Sequence, residues 1–259
     1  MQTNEIRLER LTRKEFRDAR DLGHYKLSII ATGSIEQHLE HLTLEQDISQ
    51  STHIAERVAQ ILYPEVIVVV PMSIGIAEHH MHFGGTITAK PGSWLGVLYD
   101  SVESMMRHGI NKVLVLNGHG GNVAPVEGVI NQWNLQLTQT LGKPLSPSEL
   151  RSFRTHHEHN EALLNRKSTG VDLRFHSYWD AITEDSASEI LDTGIVPGHA
   201  GEFETSTAMY SIPSNVRAEC ISHSPHDSGA NKATVAKGQK LIDLAIRNLV
   251  STAEEMLSI

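Results

Sequence analysis

Three short apolar runs, each linked to the next through a segment of helical periodicity, constrain this chain most. They are Leu27 to Ala31, Val66-Ile67-Val68-Val69-Val70 and Lys112-Val113-Leu114-Val115-Leu116. Runs of this length without polar alternation suit strands covered on both faces. Between the first two, Ile54, Val58, Ile61 and Leu62 recur at helical spacing. Between the second and third, Trp94, Val97, Leu98 and Val102 mark a helix that Gly109 ends, and Val126, Val129, Ile130 and Trp133 continue as a helix after the third. Strands alternating with helices predict an α/β fold with a mostly parallel sheet.

The flanking segments extend this pattern. Thr12 followed three residues later by Glu15 forms a capping box, so Thr12 to Leu22 reads as a short helix stopped at Gly23. Val171 to Phe175 restarts strand character, and Thr234 to Met256 reads as an amphipathic closing helix. The stretch 142–170 is polar and irregular, with Pro144 and Pro147, and reads as an insertion carrying one exposed helix. With no linker and no internal repeat, the expectation is a single domain over residues 1–259.

Composition removes several function classes. Apolar residues make up 39% and charged residues 20%, with no long apolar run, which suits a soluble globular protein rather than a membrane span. Lys and Arg number 22 against 31 Asp and Glu, and the net charge of −9 repels phosphate backbones, so nucleic acid is not expected as a partner. The single cysteine, Cys220, excludes an intrachain disulfide and a cysteine-based zinc site and is expected to be a buried thiol. Met1 to Arg20 alternates charges with leucines and does not read as a secretory signal, which makes the cytoplasm the expected compartment.

Histidine is out of proportion. The 16 histidines outnumber the Phe (5), Tyr (5) and Trp (3) residues together. In an α/β sheet ligands bind outside the carboxyl ends of the strands, and the loops there hold many of these imidazoles. After the first strand come Glu36, His38, His41 and Asp47; after the second, Glu78, His79, His80 and His82; after the third, Asn117-Gly118-His119-Gly120-Gly121-Asn122. Further on, His199, Glu202 and Glu204 add an imidazole and two carboxylates. Mixed His and carboxylate donors suit zinc, manganese or iron, and a shared carboxylate allows two ions side by side. The glycine-rich loop lacks the G-x-G-x-x-G spacing and the Lys-Ser or Lys-Thr of nucleotide loops, and no G-x-S-x-G elbow surrounds Ser34 or Ser206. His156, His157 and His159 read as a solvated face of the insertion, and Glu202 as a structural carboxylate pointing away from Glu204 on an extended segment.

As a set, Gly33-Ser34-Ile35-Glu36-Gln37-His38 with Asp47, then Asn117-Gly118-His119, then His199-Ala200-Gly201-Glu202-Phe203-Glu204-Thr205-Ser206 resemble the signature blocks of the creatininase (creatinine amidohydrolase) family. The resemblance runs from about Leu11 to the last helix. It implies a three-layer αβα fold, a two-metal centre, hydrolysis of cyclic or linear amide C–N bonds in a small-molecule substrate, and a hexamer. Carried onto these residues, it implies that Glu36 and His119 bind one ion, His38 and Glu204 the other, Asp47 bridges them, and His199 transfers the proton. The segment preceding Phe83-Gly84-Gly85-Thr86 resembles the family's pocket-lining loop, so Glu78, His80 and His82 are expected to contact substrate, together with Gly120. Where creatininase itself carries an aromatic and a glutamate after the metal histidine, this chain has Gly120 and Gly121. The groups near the proton-transfer histidine are replaced by Ile195, Val196 and Gly198. A substrate other than creatinine is therefore expected, an oxidised cyclitol or sugar being one alternative and a silent metabolite-binding member another.

Overall fold

The computed structural model of the protein describes residues 4–142, 146–163, 169–223 and 228–259. Four strands, β1 (Leu27–Thr32), β2 (Val66–Val69), β3 (Lys112–Asn117) and β4 (Asp172–Ser177), form one sheet in the order β2-β1-β3-β4, every neighbouring pair parallel. The register sets Leu27 beside Val66 and Lys112, and Thr32 beside Asn117. The first two crossovers between strands run through α2 (Gln46–Ile61) and α3 (Pro91–Arg107), after an opening α1 (Arg13–Asp21). After β3 come α4 (Val123–Glu127), α5 (Ile130–Leu141), α6 (Pro147–Ser152) and α7 (His156–Leu163). After β4 come α8 (Glu184–Ile190), α9 (Glu202–Ser211) and α10 (Val235–Ser258).

Alternation along the strands divides the core in two. Leu27, Ile29 and Ala31 of β1, with Val66, Val68, Leu114 and Leu116, pack against α2, Phe203 of α9, and Leu241, Ile242 and Leu249 of α10. Ile30, Ile67, Val113, Val115 and Leu173 face the other way, onto Ala19 of α1, Trp94, Leu98 and Val102 of α3, Val126 of α4 and Leu137 of α5. The result is helices on both faces of a parallel sheet. Each fully buried aliphatic side chain contributes about 1.5–3 kcal/mol from transfer out of water.

Local chemistry sets the ends. Thr12 accepts from the Glu15 amide while the Glu15 carboxylate accepts from Thr12, completing the expected box. Gly109, at φ +92°, closes α3 by donating to Met106 while Ile110 donates to Met105, a Schellman stop.

Several expectations are corrected. Val70 lies outside β2, because the following Pro71 has no amide for the ladder and restricts its neighbour. The helix expected through Val126 and Trp133 is two helices, since α4 ends at Gly128 and Val129 leaves helical geometry at φ −123°. Among its described residues the 142–170 stretch carries at least two short helices, α6 and α7, where one was expected; Pro144 and residues 164–168 lie outside the described residues. Cys220 is half-buried rather than buried. Among the described residues no helix is long and apolar enough to cross a membrane.

Candidate metal centre

The carboxyl ends of β1 and β3 meet the first turn of α2, and two glycines allow it. A Cβ on Gly33 would lie 2.4 Å from the Ile48 amide nitrogen, and one on Gly118 would lie 2.3 Å from the Asp47 carbonyl oxygen. Only glycine permits this approach, which buries Asp47 between the loops that carry Glu36 and His38 on one side and His119 on the other. Asn122 ties the same loops together: its amide donates to the Gly33 carbonyl and to Asn117 Oδ1, both at 3.1 Å, and its oxygen accepts from the Ile76 amide at 3.0 Å. Asn117 accepts from the His119 amide and donates to its carbonyl, fixing the turn after β3. Glu204 enters from the first turn of α9, where its Oε2 accepts from the Ala200 amide at 2.6 Å.

At the meeting point Asp47 faces two imidazoles with different oxygens. Oδ1 lies 3.1 Å from His38 Nε2, and Oδ2 lies 2.9 Å from His119 Nδ1. Glu36 Oε1 is 3.0 Å from His119 Nδ1, and Glu204 Oε2 is 3.7 Å from His38 Nε2. Each ring uses its outward nitrogen on a backbone carbonyl, His38 Nδ1 on Glu36 at 3.2 Å and His119 Nε2 on Ile76 at 3.1 Å. That leaves the inward nitrogens facing the carboxylates, as in metal sites where a hydrogen bond at the other ring nitrogen orients the ligating histidine.

The electrostatics follow from three carboxylates buried together. Burial by itself would lower His38, but Asp47, Glu204 and Glu36 outweigh it and raise the ring to about 9. His119 behaves alike: against burial, the adjoining Asp47 and Glu36 carboxylates raise it to about 10. Burial pushes Glu204 up to about 7 despite His38, whereas the two rings hold Asp47 below its usual range although burial opposes them. The cluster strongly favours positive charge at its centre.

The donors fit metal ions. Glu36 Oε2, His38 Nε2 and Asp47 Oδ2 are buried without hydrogen-bond partners, which is unfavourable unless another group satisfies them. The ligand atoms of His38, Asp47 and Glu204 all lie within 4.8 Å of one another, and those of Glu36, His79 and His119 form a second such group. A third, Glu36 with His38 and His199, overlaps both.

His199 stands at the rim, its side chain 30% exposed and Nδ1 3.9 Å from Glu36 Oε1. Its ring packs 4.5 Å from that of His38 and 4.2 Å from that of His80. Burial, with the charges of His38 and His80, pushes it down to about 3, so the ring is neutral near pH 7. The Gln37 oxygen accepts from the Leu39 amide, which turns its NH₂ toward His199 Nε2 at 2.8 Å and toward His80 Nδ1. The residues after the two rim and centre histidines, Leu39 and Ala200, both adopt left-handed backbone, at φ +54° and +48°. Such strain concentrates at functional sites. Beyond His199 opens a cleft of about 300 Å³, lined by Ile195, Pro197, Gly198 and Lys232 among others.

The remaining expected residues are placed less centrally. His80 reaches the site, but Glu78 and His82 are exposed and their side chains form no hydrogen bond or ion pair among the described residues; the His82 ring rests on Phe83 at 4.1 Å. Gly120 is exposed with open space around it. Glu202 does not sit on an extended segment: it opens α9, where its carboxylate takes the Asp192 and Thr193 amides and the Lys237 ammonium. It points away from Glu204 because residues two apart on a helix face opposite sides. The sequence groups His79 with its neighbours on the pocket-lining loop and gives Gln37 and Asn122 no role of their own. Gln37 lies between two expected ligands and Asn122 closes the glycine-rich loop, but nothing in the sequence distinguishes His79 from its neighbours.

Residues 9–253 match the family model described as creatininase, creatinine amidohydrolase. The chain belongs to the creatininase family. It is 22% identical to the creatinine amidohydrolase of Pseudomonas putida, with 95% of each chain covered. It is 30% identical over 111 residues to the mycofactocin precursor peptide peptidase of Mycobacterium ulcerans (strain Agy99), a match spanning 40% of this chain and 44% of that protein. Among solved creatininases it resembles a variant of Zn-Zn type at TM-score 0.73 and 19% identity, covering 98% of each chain. A manganese creatininase follows at TM-score 0.72 and 19% identity, covering 97% of this chain and 98% of that one. The creatininase fold accounts for the parallel sheet with helices on both faces, and the buried His, Glu and Asp cluster sits at the carboxyl ends of that sheet.

Proposed function

We propose that this creatininase-family protein is a metal-dependent hydrolase acting on an amide or cyclic-amide C–N bond of a small polar substrate other than creatinine. Asp47 carries the reading: one buried carboxylate presents its two oxygens to two separate imidazole and carboxylate groups. Glu36, Asp47 and His119 would hold one divalent ion and His38, Asp47 and Glu204 the other. Zinc and manganese suit these donors, and iron is compatible. Ions held there supply an acidified water and polarise the carbonyl under attack.

The chain's own residues do the rest. His199, neutral near pH 7 and at the rim, takes a proton during attack and returns it to the leaving nitrogen. Gln37 holds that ring through its contact with Nε2 at 2.8 Å, so Nδ1, the nitrogen turned toward Glu36, is the one that takes up and returns the proton. Creatinine lacks support because Gly120 offers no side chain and Gly121 admits none: a Cβ there would lie 2.1 Å from the Ile76 carbonyl and 2.5 Å from His119 Nε2. A peptide amide is the second reading, favoured by the identity to a peptide peptidase.

Elemental analysis and a substrate panel test the proposal. The loaded protein should contain about two zinc or manganese ions per chain, and Asp47→Ala should lose both. Amides, formamides, lactams, short peptides, keto-cyclitols and creatinine are then assayed side by side. Absence of bound metal, retention of both ions by Asp47→Ala, or robust turnover of creatinine would each overturn the corresponding part.

A further inference from the structure

His79 is exposed on the turn Glu78–His80 after β2, yet it is not an ordinary surface histidine. Its ring lies parallel to that of His119, with centroids 5.7 Å apart and planes 14° apart. A ring nitrogen of His79 and the ligand atoms of Glu36 and His119 are all within 4.8 Å of one another. Among the described residues His79 forms no hydrogen bond and no ion pair, so both nitrogens are available.

The stem of its loop is held in place. The Ile76 amide donates to Asn122 and the Ala77 amide to Thr88 Oγ1 at 2.9 Å, while the Ile76 carbonyl accepts from His119 itself. Beyond that stem the tip, from Glu78 to Gly85, is largely exposed. A braced stem thus sets an imidazole without other polar partners beside two candidate ligands.

We infer that His79 completes the protein ligand set of the ion held by Glu36, Asp47 and His119, and that metal binding thereby fastens the loop after β2 over the site. The inference rests on the metal centre proposed above. Zinc and manganese accommodate four or more ligands, so a second imidazole fits beside Glu36, His119 and the shared Asp47 oxygen. It makes the two positions unequal: one would have two imidazoles and two carboxylates, the other one imidazole and two carboxylates. The added nitrogen donor favours zinc over manganese at the first.

Zinc competition against a chromophoric chelator, with amide hydrogen exchange over residues 76–86, tests this without measuring activity. In the wild type two ions should bind, and zinc should slow exchange across the loop. His79→Ala should weaken one of the two ions by at least about tenfold, the scale seen when even outer-shell partners are lost. It should also abolish the zinc-dependent protection. His82→Ala, whose ring faces Phe83, should leave both readouts unchanged. If His79→Ala binds both ions with wild-type affinity, or zinc protects the loop equally in wild type and variant, His79 is not a ligand while the Glu36, Asp47 and His119 site stands. If wild-type protein takes up no zinc, the metal centre fails and this inference with it.

Discussion

Replacing Asn122 with alanine should loosen the metal centre without touching a candidate ligand. The side chain is fully buried and makes three hydrogen bonds, to the Gly33 carbonyl, Asn117 Oδ1 and the Ile76 amide. Asn117 Oδ1 keeps its second donor, the His119 amide at 3.1 Å, so truncation orphans two backbone groups. Each buried neutral group left unpaired costs about 1–3 kcal/mol, so the expected loss is about 2–6 kcal/mol. That is a large share of the roughly 5–15 kcal/mol by which a folded domain is stable. Urea unfolding monitored by circular dichroism measures it. Because the orphaned groups belong to the loops after β1 and β2, zinc affinity should fall together with stability. Asn122→Asp separates shape from hydrogen bonding: it still accepts from Ile76 but can no longer donate to Gly33, and should lie between wild type and alanine or below both if the carboxylate stays charged. A loss under about 1 kcal/mol with unchanged zinc affinity would show that water substitutes for the amide and that Asn122 does not brace the site.

His199→Ala should lower kcat by about a hundredfold to ten-thousandfold with both metal ions retained, whereas His119→Ala should lose metal and activity together; loss of an ion from the His199 variant would refute its role in proton transfer. Glu202, held at about 2 by Lys237 and two backbone amides although burial opposes them, lies below the usual carboxylate value of 4.5. Its stabilising contribution is therefore full above about pH 4.5 and lost as the pH falls toward 2, so the difference in Tm between wild type and Glu202→Gln should shrink across that window; a constant difference would contradict the assignment. By resemblance to the family, light scattering should give six times the chain mass of 28.6 kDa, and a monomer mass would refute it.

The three apolar runs and the helical spacings between them were sufficient for a parallel sheet flanked by helices, because strand and helix periods are properties of neighbouring residues. The blocks around Glu36, His119 and Glu204 likewise marked the family without a structure. Local irregularities were less legible: α4 stops at Gly128 and Val129, and Glu202 opens a helix, where the spacing of apolar residues reads as one continuous helix and an extended segment. The site's working geometry is further still from the sequence. Asp47 reaches two imidazoles only because Gly33 and Gly118 let separate strand ends press on one helix turn. Gln37 meets His199 across 162 positions, and His79 stands beside His119 while Glu78 and His82 do not. The sequence by itself determined which residue types gather at the strand ends. Only the tertiary structure decided which face each other, because hydrogen-bond and ligand distances of about 3 Å are set by how distant loops are stacked and braced, not by spacing along the chain.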